Sequence, residues 1–134
     1  MHLTPYILFN GNCEEALNFY ATALQGEIKT LSRYEGTPAG SMSADKQKIM
    51  HSYFVAGGIA FMAADADDGA VNSGMVHLCI DFRSSEEEQK VFEALSEGGK
   101  VTLPLEDTFW GARFSMLTDR FGIKWMLNYE KNKA

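Results

Sequence analysis

Apolar and polar residues alternate in two stretches near the C-terminus, residues 112–118 and 123–129. Between them, Asp119-Arg120-Phe121-Gly122 begins with Asp and ends with Gly, as many β-turns do. Period-two alternation on both sides of a turn predicts a β-hairpin. Its apolar face carries Ile123, Trp125 and Leu127. Because so apolar a face is not stable in water, the hairpin must pack against another part of the chain.

Hydrophobic spacing and turn residues predict the remaining elements in two runs of the same order. The first run has a strand at Tyr6–Phe9, a helix between Asn12 and Gly26, a strand at Glu27–Tyr34, and a hairpin of Ile49–Ala56 and Ile59–Ala64 around Gly57-Gly58. The second run has a strand at Met75–Phe82, a helix from Ser85 to Gly98-Gly99, a short strand at Val101–Pro104, and the C-terminal hairpin. We therefore predict an α+β fold of two βαβββ units, about 1–66 and 74–134, within one domain, 1–134.

Local signals predict the helix ends and the connections. Asn12 with Glu15, and Ser85 with Glu88, have the spacing of capping boxes. Gly26 is expected at the C′ position of the first helix. Residues 35–47 are polar and contain Gly and Pro, so we expect a mobile loop, and residues 65–73 are predicted to link the units.

Strand alternation predicts which side chains point away from the helices. If Phe54, Ile59 and Phe61 pack on the first helix, then His51, Tyr53 and Met62 lie on the opposite face. If Ile123, Trp125 and Leu127 cover the second helix, Met126 points away from it. A four-residue turn then places Arg113, Ser115 and Leu117 on the same face as Met126. On the preceding strand, His77 and Cys79 also point away from the helix.

Each unit has a helix on one face of its sheet, so the two other faces are expected to cover each other and enclose a small-molecule pocket. Its predicted ligand-binding residues are His51, Tyr53, Met62, His77, Cys79, Trp110, Arg113, Ser115 and Met126. His77 could act as a general base or be a hydrogen-bonded interior histidine. The Arg113 guanidinium could bind a carboxylate or phosphate, or pair with an acid of the protein. Trp110 could cover the pocket or pack against its neighbours. No catalytic residue is assigned, because spacing alone brings no nucleophile and base together.

The net charge of −6 over 134 residues argues against nucleic-acid binding, since no basic stripe is present. Two cysteines without a CxxC motif favour a reducing compartment. The opening residues lack the features of a signal peptide, and no apolar run approaches the ~20 residues needed to cross a membrane. We therefore expect a cytoplasmic protein that binds neither nucleic acid nor membrane.

Three phrases of the sequence resemble a known family: GNCEEALNFY (11–20), FWGARF (109–114) and DRFGIKWMLN (119–128). Together with the paired βαβββ order, they resemble the vicinal oxygen chelate (glyoxalase/bleomycin resistance/dioxygenase) superfamily. Within it, they are similar to the PhnB-like branch, the 3-demethylubiquinone 3-methyltransferase-like domain. The resemblance implies a glyoxalase-like half-barrel pair and a homodimer, in which units could be exchanged between chains.

Metal-dependent members of that superfamily hold an ion at four inward positions, which the resemblance carries over to Pro5, Met62, His77 and Met126. One imidazole, one proline and two thioethers do not suit a hard divalent ion. We therefore expect no metal and no other cofactor. A methyltransferase is disfavoured as well, because Gly57-Gly58 lies between two strands and no GxGxxG motif occurs.

Three functions are compatible with these patterns. The one favoured most is binding of a small polar molecule in the inter-sheet pocket, with or without a metal-independent reaction. The alternatives are a drug-sequestering protein of the resistance type, which would capture a cationic drug, and a metal-dependent lyase or dioxygenase.

Overall fold

The same order of strands and helices occurs twice in a computed structural model that describes residues 1–35, 47–66, 69–71 and 74–131. The first half contains β1 (Tyr6–Phe9), α1 (Cys13–Ala23), β2 (Glu27–Arg33), β3 (Ile49–Ala56) and β4 (Ile59–Asp65). The second contains β5 (Leu78–Asp81), α2 (Ser85–Ser96), β6 (Lys100–Asp107), β7 (Ala112–Thr118) and β8 (Lys124–Glu130). The predicted α+β fold with two βαβββ units is confirmed. No helix in the described part of the chain is long and apolar enough to cross a membrane.

The chain divides into two units, residues 1–70 and 71–134. The first sheet has the order β1-β4-β3-β2, and the second has the matching order β5-β8-β7-β6. In each, the first strand is parallel to the last strand of its unit, and the other neighbours are antiparallel. Each sheet therefore ends in two edge strands and is not closed into a barrel.

Each helix covers one face of the sheet of its own unit. In the first unit, Leu17 and Tyr20 of α1 are buried with Phe54 and Phe61, whose rings stack at 4.8 Å. In the second, Val91 and Leu95 of α2 are buried, as are Leu117, Trp125 and Leu127 of the sheet. The face opposite the helix is called here the helix-free face of each sheet.

The ends of α1 differ from the prediction. Asn12 is the N-cap residue, but its side chain makes no capping hydrogen bond, so the capping box with Glu15 is wrong. At the C-terminus, Gln25 has the positive φ of 52° that was predicted for Gly26. Gly26 follows it and donates to the carbonyl of Ala21 at 3.0 Å, which closes a Schellman motif. A Cβ on Gly26 would lie 2.5 Å from the Phe54 ring, so glycine lets the chain pass against the sheet.

A carboxylate from the end of β4 takes the place of the missing side-chain cap. The buried Asp65 accepts a hydrogen bond from Cys13 N at 2.9 Å and one from Ile49 N at 2.8 Å. Asp65 therefore connects the first turn of α1 to the sheet, and it is the last residue of β4 rather than the start of a linker.

The second helix begins with a local cap, one residue earlier than predicted. Ser84 is the N-cap residue, and its hydroxyl accepts a hydrogen bond from Glu87 N at 3.1 Å. The predicted box of Ser85 with Glu88 is therefore wrong. Glu88 lies instead on the buried side of α2, three residues before Val91 and seven before Leu95.

The predicted turn Asp119–Gly122 is present, since Gly122 N donates to Asp119 O at 3.0 Å, but the connection also includes Ile123 and is five residues long. Thr118 pairs with Lys124, and Asp119 N donates to Ile123 O at 2.9 Å. This register places Leu117 opposite Trp125 and Ser115 opposite Leu127, on the helix side. Because a slip of one residue moves every side chain to the other face, the predicted orientation of Arg113, Ser115 and Leu117 is wrong.

Two further predictions differ in extent. β6 continues to Asp107, beyond the predicted end at Pro104, with register shifts between Val101 and Leu103 and, across this proline, between Leu103 and Glu106. Such irregularity is expected for proline in an edge strand, since it donates no hydrogen bond. Residues 36–46 of the predicted mobile loop 35–47 lie outside the described residues, as do 67–68 and 72–73 of the predicted linker.

Candidate functional site

The helix-free face of the first sheet carries an aromatic row across three strands. Met62 in β4 lies directly between Tyr6 of β1 and Tyr53 of β3, which are its partners in register. His51 lies two residues from Tyr53, and Tyr6 Oη is 3.3 Å from His51 Nδ1. Their rings are tilted at 42°, with centroids 5.9 Å apart. The structure thus brings three predicted residues together and adds Tyr6, which the prediction did not include.

Tyr6 is about half exposed, yet partial burial raises the pKa of its phenol, and the nearby Cys13 and Tyr34 add to the effect. The phenol is therefore protonated at neutral pH and can donate to the His51 ring. When Tyr6 donates to Nδ1, the imidazole carries its proton on Nε2. The alternation of Tyr6 and Leu8 with buried Phe9 in β1 was the signal that could have assigned Tyr6 to this face.

The helix-free face of the second sheet carries polar pairs around two thioethers. Met126 lies opposite Cys79 in β5 and Met116 in β7. On one side of this row, Asn128 Nδ2 donates to Asp81 Oδ1 at 2.9 Å. On the other, Lys124 Nζ donates to Thr118 Oγ1 at 3.2 Å. The predicted orientation of Cys79 and Met126 is confirmed.

Neither cysteine has the character of a nucleophile. Cys79 is exposed, but partial burial and the neighbouring Asp81 carboxylate raise the pKa of its thiol. Burial, with the charge of Asp65, raises the pKa of the Cys13 thiol to about 12. Both are free thiols, and a protonated thiol reacts slowly.

His77 lies just before β5, where its Nε2 is 3.2 Å from the carbonyl oxygen of Gly74. Because a carbonyl oxygen only accepts, Nε2 is the donor. Its Nδ1 atom is buried and has no hydrogen-bond partner among the described residues. His77 therefore keeps one ring nitrogen available for a hydrogen bond.

Arg113 and Ser115 lie on the helix side of the second sheet, away from the residues above. Arg113 donates to the carbonyl of Ser85 and to the side chain of Gln89, both on α2. Its Nη1 atom is 4.0 Å from Glu88 Oε1. The hydroxyl of Ser115 is buried without a partner in the described part of the chain. Arg113 and Ser115 were included in the predicted pocket because they were expected on the same face as Met126, and the observed register places them on the opposite face.

Glu88 is a buried residue that the sequence did not predict, since its spacing from Ser85 indicated a capping box. Its side chain is fully buried, and neither carboxyl oxygen has a hydrogen-bond partner among the described residues. Burial raises the pKa of Glu88 to about 7, although the Arg113 guanidinium opposes the shift. Its helical spacing with Val91 and Leu95 was the signal that could have identified it as buried.

The residues at the positions expected to hold an ion do not fit a hard divalent metal. Met62 and Met126 lie on the helix-free faces, as the prediction required. On the parallel strand, Met62 pairs with Tyr6 in the first unit and Met126 pairs with Cys79 in the second. His77 lies two residues before Cys79, so the equivalent residue of the first unit is Thr4, two residues before Tyr6, rather than Pro5. Thioether, hydroxyl and a single imidazole make a poor donor set for Zn²⁺, Mn²⁺ or Fe²⁺. Within residues 1–35, 47–66, 69–71 and 74–131, no group of three His, Cys, Asp or Glu side chains could hold a metal ion.

Comparison with known proteins identifies relatives along the whole chain. The sequence pattern of the family described as "3-demethylubiquinone-9 3-methyltransferase" matches residues 1–128. The crystal structure of protein PA1353 from Pseudomonas aeruginosa is 40% identical, with a TM-score of 0.87, over 97% of this chain and 98% of that one.

Two other solved structures are also similar. The PhnB protein of Bacillus cereus is 28% identical, with a TM-score of 0.81, over 96% of this chain and 99% of that one. A glyoxylase/bleomycin resistance protein/dioxygenase domain from Frankia is 14% identical, with a TM-score of 0.72, over 100% of this chain and 95% of that one. At such low identity the last comparison establishes a common fold alone.

Proposed function

Because this chain belongs to the 3-demethylubiquinone-9 3-methyltransferase family, the PhnB-like branch of the vicinal oxygen chelate superfamily, we propose that it binds a small polar molecule through the helix-free faces of its two sheets. The contacts are assigned to Tyr6, His51, Tyr53 and Met62 in the first unit. In the second they are assigned to His77, Cys79, Trp110, Met126 and Asn128. A catalytic metal at Met62 and Met126 is not part of the proposal.

The proposal depends mainly on one observation. The polar side chains of the helix-free faces are oriented by hydrogen bonds to one another, as in Tyr6 with His51 and Asn128 with Asp81. A polar group on a solvated sheet face needs no such partner, because water is available to it. Side chains held in one geometry on a partly apolar surface are typical of small-molecule sites.

The chemistry available on these faces is hydrogen bonding and proton transfer. The contact with Tyr6 orients the imidazole ring of His51, whose nitrogens can donate or accept a hydrogen bond. Methyl transfer, which the family description names, is left out of the proposal. The Gly57-Gly58 segment joins β3 to β4 and does not open a helix at the end of a strand, as a dinucleotide-type site requires.

The test is a thermal-shift screen of small polar molecules against the purified protein, followed by variants. A ligand at a hundred times its Kd adds about 2.7 kcal/mol of stability, which raises Tm by roughly 10 °C for a chain of this size. We expect His51→Ala and Asn128→Ala to remove most of that shift. The matched controls are His2→Ala and Asn18→Ala, which change the same residue types at exposed positions.

If no variant of the assigned residues alters the response to any binding molecule, the assignment to the helix-free faces is wrong. Stoichiometric Zn, Ni, Mn or Fe in the purified protein would favour a metal-dependent lyase or dioxygenase instead. A response confined to large cationic glycopeptides would favour the drug-sequestering function.

A further inference from the structure

The turn between β6 and β7 is fixed in position and presents two large aromatic side chains. Thr108 N donates to Ala112 O at 2.8 Å, and Lys131 N donates to Gly111 O at 3.0 Å. Gly111 has a φ of +85°, which glycine adopts without strain. In this turn the Phe109 side chain is 98% exposed and that of Trp110 is 58% exposed. Exposed aromatic side chains on so constrained a turn favour a recognition role over a structural one.

The aromatic rings continue from the turn onto the helix-free face of the second sheet. Trp110 lies edge-to-face with Phe109 at 5.0 Å, and its ring is 6.2 Å from that of Phe114 in β7. Phe114 lies directly opposite Glu106 on one side and Asn128 on the other. Directly opposed residues share a sheet face, so the Glu106 carboxylate is next to the aromatic group.

Glu106 has no charged partner, in contrast to its neighbour. Asp107 forms an ion pair with Lys131, whereas the exposed Glu106 makes no ion pair or side-chain hydrogen bond within the described residues. An unneutralised carboxylate beside two aromatic rings attracts a cation and repels an anion. The net charge of −6 acts in the same direction at longer range.

We propose that Trp110, Phe114 and Glu106 form a subsite for an organic cation, an ammonium group bearing methyl or other alkyl substituents. Such a group places its apolar substituents against the aromatic faces while its charge meets the carboxylate. A small inorganic cation keeps its hydration shell, so it gains little from contact with the aromatic rings. The Asn128–Asp81 pair lies beside Phe114 and is available to the polar remainder of the ligand. This inference rests on the proposed function, because the subsite is part of the same helix-free face.

In the experiment, the full chain is titrated with choline at constant ionic strength, and binding is measured by the change in Trp110 fluorescence. Trp125 is buried and donates to Asp119, so a ligand in solution acts on the signal of Trp110. The matched neutral ligand is 3,3-dimethylbutan-1-ol, in which carbon replaces the charged nitrogen. We expect a saturable change with choline and at least fivefold weaker binding of the neutral analogue.

Glu106→Gln removes the charge and keeps the shape, so it should weaken choline binding roughly fivefold and leave the neutral analogue unaffected. Glu97→Gln, at the exposed C-terminal end of α2, is the control and should change neither ligand. Phe114→Leu should weaken both. Circular dichroism of each variant checks that the fold is retained.

Equal binding of choline and its neutral analogue would overturn the proposal and reduce the group to an apolar patch. A fluorescence change that depends on protein concentration without any ligand would also overturn it, in favour of a contact between two copies of the chain. If choline fails while other small molecules bind and depend on His51, the subsite is wrong and the proposed function remains. If nothing that binds depends on His51 or Asn128 while choline depends on Glu106, the broader assignment fails and the subsite remains.

Discussion

In the first unit a carboxylate distant in sequence holds the start of the helix, whereas in the second unit the serine next to the helix does so. Asp65 binds Cys13 N and Ile49 N, which joins α1, β3 and β4 through one buried side chain. Ser84 binds Glu87 N within its own turn. Two units with the same order of elements therefore differ in how their helices depend on the sheet. The first needs the sheet to be formed, and the second carries a cap of its own.

The buried carboxyl groups differ in whether they accept hydrogen bonds. Asp65 accepts from two backbone N–H groups, those of Cys13 and Ile49. Asp119 in the second unit accepts from the backbone N–H groups of Phe121 and Ile123 and from the Trp125 indole Nε1. Glu88 has no donor among the described residues, although it is fully buried. A buried carboxyl group with donors stabilises a fold in its charged form, while one without donors favours the neutral form. Burial alone therefore does not determine what a carboxyl group contributes.

The largest effect is expected for Asp65→Ala, which leaves two backbone N–H groups of the first unit without an acceptor. We expect the free energy of unfolding to fall by about 3 kcal/mol, because each buried unpaired donor costs about 1–3 kcal/mol. Urea unfolding followed by circular dichroism measures the loss. Asp107→Ala, an exposed aspartate at a strand end, is the control and should cost below about 1 kcal/mol. An equal loss of unfolding free energy in the two variants would contradict the comparison, because the hydrogen bonds of Asp65 to α1 and β3 would then not stabilise the first unit.

The next effect tests the carboxylate that has donors in the second unit. In Asp119→Asn the oxygen can still accept from the two backbone groups of the turn, but the amide nitrogen opposes the Trp125 indole N–H. We expect a loss of about 2 kcal/mol in urea unfolding and a changed near-ultraviolet signal of Trp125. In a Trp125→Phe background the same substitution should cost much less, because the opposed donor is gone. A similar loss in both backgrounds would contradict the assigned role of the indole bond.

The order of elements was predictable because it depends on local patterns, namely spacing, alternation and turn residues. Met62, Cys79 and Met126 were assigned to the correct face, since each lies in a strand whose alternation fixes its parity. Arg113 and Ser115 were assigned to the wrong face because their parity depends on the length of the turn. The sequence Asp119 to Gly122 fits a four-residue turn, but the Asp119 carboxylate also binds Ile123 N and extends the loop to five residues.

The parts of the site that were missed depend on contacts across the fold. Nothing near Asn12 indicates that Asp65 provides the acceptor for the first turn, because 52 residues separate Asp65 from Cys13. Glu88 is a different case. Its spacing with Val91 and Leu95 was visible, but a glutamate in the first turn is usually exposed and stabilises the helix dipole. Local rules therefore predict an element well and predict poorly which polar residue the sheet will cover.

The pH dependence of stability tests the carboxyl group that has no donors. Because the folded pKa of Glu88, about 7, lies above the ordinary 4.5, the folded protein holds this proton more tightly than the unfolded chain. The stability from the neutral group is full below about pH 4.5 and is lost as pH rises through 7. Glu88→Gln mimics the neutral form. We expect its unfolding free energy to match that of the wild type at pH 4.5 and to exceed it by roughly 1–2 kcal/mol at pH 8.

Urea unfolding of both proteins at several pH values provides this measurement, and the difference between them cancels the other titrating groups. Arg113→Met should extend the loss of stability to higher pH, because the guanidinium opposes the rise in the pKa of Glu88. A difference between wild type and Glu88→Gln that is the same at pH 4.5 and pH 8 would show that Glu88 gains a partner on folding. The contrast with Asp65 and Asp119 would then be lost.

The smallest effects separate the two helix starts most directly. By sequence, Asn12 and Ser84 are equally good N-cap residues, but only the Ser84 side chain accepts a hydrogen bond. We expect Ser84→Ala to lower the unfolding free energy by about 1 kcal/mol and Asn12→Ala to lower it by no more than a few tenths of that. Both sites are near the surface, so urea unfolding in parallel, with several repeats, is needed to resolve them. In an Asp65→Ala background, Asn12→Ala should become more costly, because the Asn12 side chain is at the N-cap position and can then accept from the first turn of α1. A loss from Asn12→Ala that equals that of Ser84→Ala in the wild type would mean that both helices carry their own caps, and the carboxylate of β4 would only reinforce the first.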